Sequence, residues 1–425
     1  MDYCRSFVAN HDRMAVLFKG LRWVHKGKST IGDFIFDNGE IIPAGSYDSS
    51  PAETIIADGW ICSEGWVDLR VSAGEPGHEH KETIESLCNS LNVSGFSGAV
   101  LTPNTDPVIE NKGLVDFLLN KSKAFPVEII PQAAVTKGTQ GEDLTEILDL
   151  HFQSGVTIFG EGKVSLSNSD RYLKIIQYLQ RVNGILFDHA YDPLLAIFGQ
   201  MHEGEVSTQL GMKGIPRLAE EVAIQRNLEL LRYAGGRVHF QTISTAKSVD
   251  LIRQAKKEGL NITADVSIYQ LIFNDQDLFD FDPNLKVNPP FREKEDRDAL
   301  IEGLKDGTID ALVSNHQPED FDSKFMEFDL AAFGMTGLQT FLPALNQLQE
   351  ELGWELLLEK ITDGPAKVLD SKISRGFTIF DPMEKWIYNE DSNHSLASNN
   401  PWFGKELLGK VKYRIYEGNL LKINE

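Results

Sequence analysis

Cysteine is almost missing from this chain. Only Cys4, Cys62 and Cys88 occur in 425 residues, and no two stand two or three residues apart. An odd, scattered set excludes a disulfide framework and a thiolate zinc site. Positive charge is scarce as well: 41 Lys and Arg face 63 Asp and Glu, for a formal net charge of -22. A surface of that sign repels phosphate backbones and anionic lipid, which argues against nucleic acid and membrane partners. Long apolar runs are lacking too, and none approaches the roughly 20 residues of a spanning helix. Asp2, Arg5, Asp12 and Arg13 interrupt the first residues, so no signal peptide is expected and a cytoplasmic location is the expectation. What is present is ample core material. Hydrophobic residues make up 41% and charged residues 24%, a globular balance.

The apolar residues are arranged in two styles. Up to residue 64 they form short strands. Val16-Leu17-Phe18 and Phe34-Ile35-Phe36 are followed by Asp37-Asn38-Gly39, a hairpin turn signal, then by Ile55-Ile56 and Trp60-Ile61-Cys62. From Trp66 onward, short β-type runs alternate with helical patterns. The runs are 66–71, 98–101, 127–131, 155–159, 184–188, 237–241, 261–266 and 309–313. A helix from Lys81 places Ile84, Leu87, Cys88 and Leu91 on one face. Another carries Val249, Ile252 and Ala255 and stops at Gly259. Eight β–α alternations imply a parallel barrel. After about Gly364 short strands return, at 377–380 and 411–415, with a turn at Glu417-Gly418-Asn419. The expected fold is an α/β (β/α)₈ TIM barrel over residues 65–365. A small β-sandwich is expected from the two chain ends, 1–64 and 366–425.

Functional groups in such a barrel sit at the C-terminal strand ends and the loops that follow. Here those positions carry Asp68 to Ser72, Thr102-Pro103-Asn104-Thr105, Gly160-Glu161-Gly162-Lys163, Asp188-His189, Thr242 to Thr245 and Ser314-Asn315-His316. Further motifs are Gly65-Trp66-Val67-Asp68, Glu75-Pro76-Gly77, Lys286-Val287-Asn288-Pro289-Pro290-Phe291-Arg292, Asp306-Gly307-Thr308-Ile309-Asp310, Phe333-Gly334-Met335-Thr336-Gly337 and Asn400-Pro401-Trp402. In this order and spacing they resemble the dihydroorotase family of cyclic amidohydrolases, from about Gly39 to the tail.

The resemblance implies a metal-dependent amidohydrolase barrel with two zinc ions, which polarise a cyclic amide and activate a bridging hydroxide. It implies a His-x-His pair on strand one and a carboxylate or modified lysine after strand four. It also implies single histidines after strands five and six, and on strand eight an aspartate that carries the proton. Here the pair is Arg70-Val71-Ser72, the strand-four loop offers Glu161, and His189 is kept. Thr242 stands for the strand-six histidine and Asn315 for the aspartate, with His316 beside it. The arginine that would grip a substrate carboxylate falls at Gly74, and the later histidine of the strand-eight loop at Glu319. Ser72, Thr242 and Asn315 are poor zinc ligands. Arg70 brings a permanent positive charge into a cation site. The amide of Asn315 accepts no proton as a general base. No cofactor is therefore expected beyond at most one weakly held ion.

Plainer readings stand beside these. His78-Glu79-His80 suits an exposed helix start better than a displaced ligand pair. His189 and His316, without partners, suit hydrogen-bonded core groups, and His239 suits packing. Asp188 and His189, as strand neighbours, point to opposite faces. Glu161, Asp265 and Glu319 suit solvated loops. Asn104, Asn288 and Arg292 are the candidate substrate-binding residues. The leading expectation is a non-catalytic member that assembles with aspartate transcarbamoylase, as the resemblance implies for some of the family, and forms a homo-oligomer. The alternatives are an active cyclic amide hydrolase with an atypical metal site, and a small-molecule sensor. One further expectation is that Arg70 fills the former metal cavity by pairing with Glu161 or Asp188.

Overall fold

The computed structural model describes residues 15–48, 50–370 and 376–423. Cys4 and the four charges of the first thirteen residues lie outside them. Five strands open the chain: β1 Val16–His25, β2 Lys28–Asp37, β3 Glu40–Pro43, β4 Glu53–Ile56 and β5 Ile61–Glu64. The barrel strands β6 Trp66–Val71, β7 Phe96–Leu101, β8 Glu128–Ala133, β9 Ile158–Gly160 and β10 Ile185–Asp188 follow. A two-stranded insert, β11 Met201–His202 and β12 Gly214–Ile215, precedes β13 Val238–Phe240, β14 Ile262–Ser267 and β15 Ala311–Val313. The chain closes with β16 Phe377–Ile387, β17 Glu406–Tyr416 and β18 Asn419–Lys422.

The eight strands from β6 to β15, leaving out β11 and β12, lie parallel in chain order. A parallel bridge between Val71 and His316 joins the last strand's exit to the first strand. The Ser72 amide donates to the His316 carbonyl (2.9 Å) and the Ser314 amide to Asp68 Oδ2 (3.0 Å). Every residue of β6 and β7 is buried, which explains their unbroken apolar runs: helices cover one face and the barrel interior fills the other.

The two ends build one sheet, in the order β18-β17-β16-β5-β1-β2-β3, with β4 beside β1. The link between the ends is antiparallel pairing of β16 with β5, Ile379 opposite Cys62. Phe18, Leu21, Phe34, Phe36, Cys62, Ile379 and Ile415 form its own apolar core. β5 stops at Glu64 and β6 starts at Trp66, whereas residue 365 falls inside the helix Asp363–Leu369. The sheet is keyed to the barrel floor by Gly95 at φ 91°, where a Cβ would press on Trp66 and Thr378.

Two expectations need correction, and one pair of strands was not expected. The helix expected from Lys81 begins at Ile84, because Thr83 caps it and Ser86 returns the bond to the Thr83 amide. The strand of the first hairpin runs to His25, past a bulge between Phe18 and Leu21 that breaks its alternation. The insert of β11 and β12 carries no sequence signal, since two residues per strand leave no period to read.

Candidate functional site

Strand one delivers Arg70 into the barrel, where it is 3% exposed. Its Nε donates to Asn315 Oδ1 (2.9 Å) and its Nη1 to Gln241 Oε1 (2.8 Å). The guanidinium thus lies between the ends of strands one, six and eight. The expected pairing with Glu161 or Asp188 does not form. Glu161 turns to Thr136, which donates from its amide (2.8 Å) and its hydroxyl (2.9 Å). Asp188 accepts from Tyr172 Oη (3.0 Å) and Asn227 Nδ2 (2.6 Å). Both carboxylates find neutral donors closer to their own strands. Burial lowers the Arg70 pKa to about 10 and raises Glu161 to about 7 and Asp188 to about 6.

The remaining positions bond to each other. Ser72 Oγ lies 3.0 Å from Thr102 Oγ1. His189 Nδ1 is 3.2 Å from Thr242 Oγ1, and its Nε2 is 3.4 Å from Asn288 Nδ2. Burial first, then Arg70, holds His189 well below the usual histidine pKa, so the ring is neutral. His316 Nδ1 accepts from the Gly337 amide (3.1 Å), which puts its proton on Nε2, facing Glu82 at 3.6 Å. Thr242 and Asn315 both sit at φ 50°. This left-handed conformation is unusual for a β-branched residue. Asp265 holds Thr242 there by accepting its amide proton (2.6 Å).

The candidate substrate-binding residues are committed to protein partners. Asn104 donates to the Glu161 carbonyl (3.0 Å) and accepts from the Lys163 amide (2.8 Å), so it clamps the strand-four loop. Arg292 donates to Ser244 Oγ (3.1 Å), His202 Nδ1 (3.1 Å) and the Ile215 carbonyl (2.7 Å), which ties the β11–β12 insert to strand six. Asn288 touches His189 and accepts from Asn315 Nδ2 through its carbonyl (3.4 Å). A cavity lined by His189, Tyr191, Thr242, Asn288 and Arg292 has about 10 Å³ of room for a water's centre, roughly one water molecule. Gly74 has no space for a side chain: a Cβ there would collide with the His78 carbonyl.

Three solvated-loop expectations are overturned. Glu161, Asp265 and Glu319 are all buried. Asp265 bonds His239 Nε2 (2.7 Å), and Glu319 pairs with Lys81 (2.5 Å). His239 is fully buried between Asp265 and Thr263 Oγ1 (2.8 Å). His78, Glu79 and His80 are exposed. Two residues that the motifs did not single out also face the barrel mouth, Gln132 and Gln241, beside Lys163 of the strand-four loop. Gln241 adjoins Thr242 in sequence, which was the available signal. Gln132 had none.

These residues do not fit zinc. A guanidinium lies at the strand-one ligand position, and the one retained histidine is engaged on both nitrogens. Among the described residues, no group of three His, Cys, Asp or Glu could hold a metal ion.

Barrel, two-ended sheet and the placement of these residues define a cyclic amidohydrolase fold. Solved structures agree. L-hydantoinase from Arthrobacter aurescens superposes with a TM-score of 0.82 at 22% identity, covering 96% of each chain. Dihydropyrimidinase from Brevibacillus agri NCHU1002 gives 0.79 at 17% identity, covering 96% of this chain and 95% of that one. The particular family follows from sequence. The Dihydro-orotase-like family model matches residues 59–248. The dihydroorotase of Syntrophus aciditrophicus is 34% identical across 96% of this chain and 99% of its own length. That of Acetivibrio thermocellus is 36% identical across 96% and 98%. The chain belongs to the dihydroorotase family. Among its described residues no helix is long and apolar enough to cross a membrane.

Proposed function

We propose that this chain is a non-catalytic dihydroorotase-family protein of pyrimidine biosynthesis, kept for its fold and surface. The observation that carries this reading is Arg70, whose guanidinium binds Asn315 and Gln241 inside the barrel. A fixed positive charge opposes a metal there, and Asn315 supplies no base. Both losses fall on the same step, the activation and delivery of water. Its partner, in this reading, is aspartate transcarbamoylase, which a folded but inert barrel would support structurally. The test is a dihydroorotate hydrolysis assay on pure protein with added zinc, beside metal analysis of the same sample. The expected result is no turnover and no stoichiometric zinc, with co-purification of a transcarbamoylase from the native source. Turnover with bound zinc would overturn it.

A second reading is favoured by the relatives. Proteins named dihydroorotase match at 34–36% identity over nearly the whole chain. Under this reading the chain is an active cyclic amide hydrolase with an atypical metal site, using Glu161, His189 and His316. It requires Glu161 to leave Thr136 and His189 to leave Thr242 and Asn288. Loss of turnover in His189→Ala would mark it.

A further inference from the structure

We propose that the flank of the barrel carries a binding site separate from the mouth, a cavity under the β16–β17 hairpin that takes a flat, uncharged ring compound bearing N–H donors. The cavity lies where helix Ile84–Val93 ends and helix Phe341–Glu359 begins, with β16 and β17 beside both. It has about 380 Å³ of room for a water's centre, against about 10 Å³ at the mouth. Ligand cavities run from roughly 300 to 1,000 Å³, so the flank has the room for a small molecule that the mouth lacks. The two cavities share no lining residue. The walls of the flank cavity are fastened by the protein itself. Gln339 donates to the Ser392 carbonyl (2.7 Å) and accepts from the His394 amide (2.7 Å). Asn346 donates to the Pro382 carbonyl of β16 and the Leu408 carbonyl of β17 (2.8 Å each). Gly409, at φ 105°, keeps that approach close, since a Cβ there would press on Leu342 and Asn346.

The lining says what kind of molecule fits. Val93, Leu342, Trp386, Ile387, Val411 and Ile423 give it apolar walls. Trp386 supplies a flat one. Its Nε1 donates to the Gly409 carbonyl (2.9 Å), and Tyr388 packs against it with ring centroids 5.8 Å apart. The indole is thus held in one orientation, ready to stack on another ring. The charges at the entrance cancel. Lys385 pairs with Glu406 (2.7 Å), and Glu384 takes Lys412 (2.6 Å) and Lys410 (4.0 Å). With Asp391 added, three lysines meet three carboxylates, so the entrance has no net charge to select an ion. Asp391 and the His394 ring line the cavity and have no hydrogen-bond partner among the described residues. The carboxylate accepts N–H bonds, and a neutral imidazole offers one donor and one acceptor. An anion would meet Asp391 where the lysines are already paired. An aliphatic compound would forgo the stacking face. A flat heterocycle with N–H groups uses the indole, the apolar walls and the acceptors together.

The test is isothermal titration of the intact protein with adenine, benzoate and cyclohexanol. Adenine is flat, uncharged and carries N–H donors; benzoate is flat but anionic; cyclohexanol is neither flat nor an N–H donor. Saturable binding of adenine and silence from the other two are expected. Trp386→Ala is expected to weaken adenine about tenfold, the worth of one stacking contact. Val93→Trp fills the cavity from a half-buried position and is expected to abolish binding. Asp391→Asn, a change at an exposed residue, is expected to weaken it about threefold, the worth of one hydrogen bond. The last two variants keep the test decisive if Trp386→Ala unsettles the hairpin. No binding of adenine, equal binding of benzoate, or unchanged affinity in Val93→Trp would each overturn the proposal. So would a change in sedimentation of Val93→Trp with no ligand response in wild type, which would assign the cavity to a second copy of the chain. Dihydroorotate turnover bears on the reading of the mouth alone, so the two can fail separately.

Discussion

The barrel buries an arginine at each end, and the two differ in what surrounds them. At the floor, Arg414 of β17 is 0% exposed and reaches Asn92 Oδ1 (2.5 Å), the Pro126 carbonyl (3.0 Å) and Ser97 Oγ (3.1 Å). It spans the gap between the two-ended sheet and the N-terminal ends of the strands. At the mouth, Arg70 makes two bonds, to Asn315 and Gln241. Burial lowers both to a pKa of about 10, so the desolvation cost is similar, and the buried Arg414 Nε has no hydrogen-bond partner among the described residues. The difference lies in what the bonds join: Arg414 ties two packed layers together through three, whereas Arg70 ties strand ends of one barrel through two.

That contrast predicts unequal costs for the same substitution. Arg414→Met removes three bonds and strands an amide oxygen and a carbonyl between two packed layers. The expected loss is about 3 kcal/mol, read by urea denaturation. Arg70→Met removes two bonds but also a desolvated buried charge. Apolar replacement of such a charge is close to neutral, so its expected change is within about 1 kcal/mol of wild type. A loss at Arg70 equal to that at Arg414 would erase the contrast and make Arg70 a structural plug.

Glu161 sharpens the same comparison through pH. Burial raises its pKa to about 7, above the usual carboxylate range. A carboxyl with a raised folded pKa contributes its full stability below the unfolded value, near 4.3. As pH rises the unfolded chain releases its proton first, so stability falls from about pH 4.3 to about pH 7 and then levels. Glu161→Gln keeps an oxygen for the Thr136 amide and removes the charge. Above pH 7.5 the variant is expected to be more stable than wild type by about 1–3 kcal/mol. Near pH 4.5 the two converge. Asp68 and Asp188 titrate in overlapping windows, so the difference between the two proteins carries the result. A carboxylate that instead binds a cation would be protected at high pH, and the variant would then be the weaker one.

The sequence disclosed the scaffold better than the mouth, for physical reasons. The barrel strands are visible as apolar runs because six of the eight are buried at every position, β8 and β14 being the exceptions. Arg70, Ser72, Thr242 and Asn315 were legible as residues of the wrong chemistry, since position along a strand determines which end they reach. Their partners were not legible. Glu161 chooses Thr136, 25 residues earlier in the chain, and Arg70 chooses Gln241, 171 residues later. Such choices depend on distances across the barrel that a linear pattern does not contain. Gln132 is the extreme case: it occupies a strand end with no motif around it, and only its buried, unpaired amide gives it significance.

Thr242 yields the finest test of whether the mouth retains a backbone shaped for other side chains. It holds φ 50°, a conformation that costs an L-residue about 1–2 kcal/mol and is tolerated best by Gly, Asn and Asp. Nothing in its own chemistry favours that geometry, because a β-branched side chain prefers extended backbone. The Asp265 carboxylate imposes it by taking the amide proton, and Thr242 Oγ1 contributes only a 3.2 Å contact to His189. An asparagine can keep an acceptor near His189 while easing the backbone. Thr242→Asn is therefore expected to gain about 0.5–1 kcal/mol in chemical denaturation. A loss of more than 1 kcal/mol would mean that the threonine methyl packs into the mouth more tightly than the backbone strain costs. The strand-six end would then be fitted to threonine, and not a turn retained from a different residue.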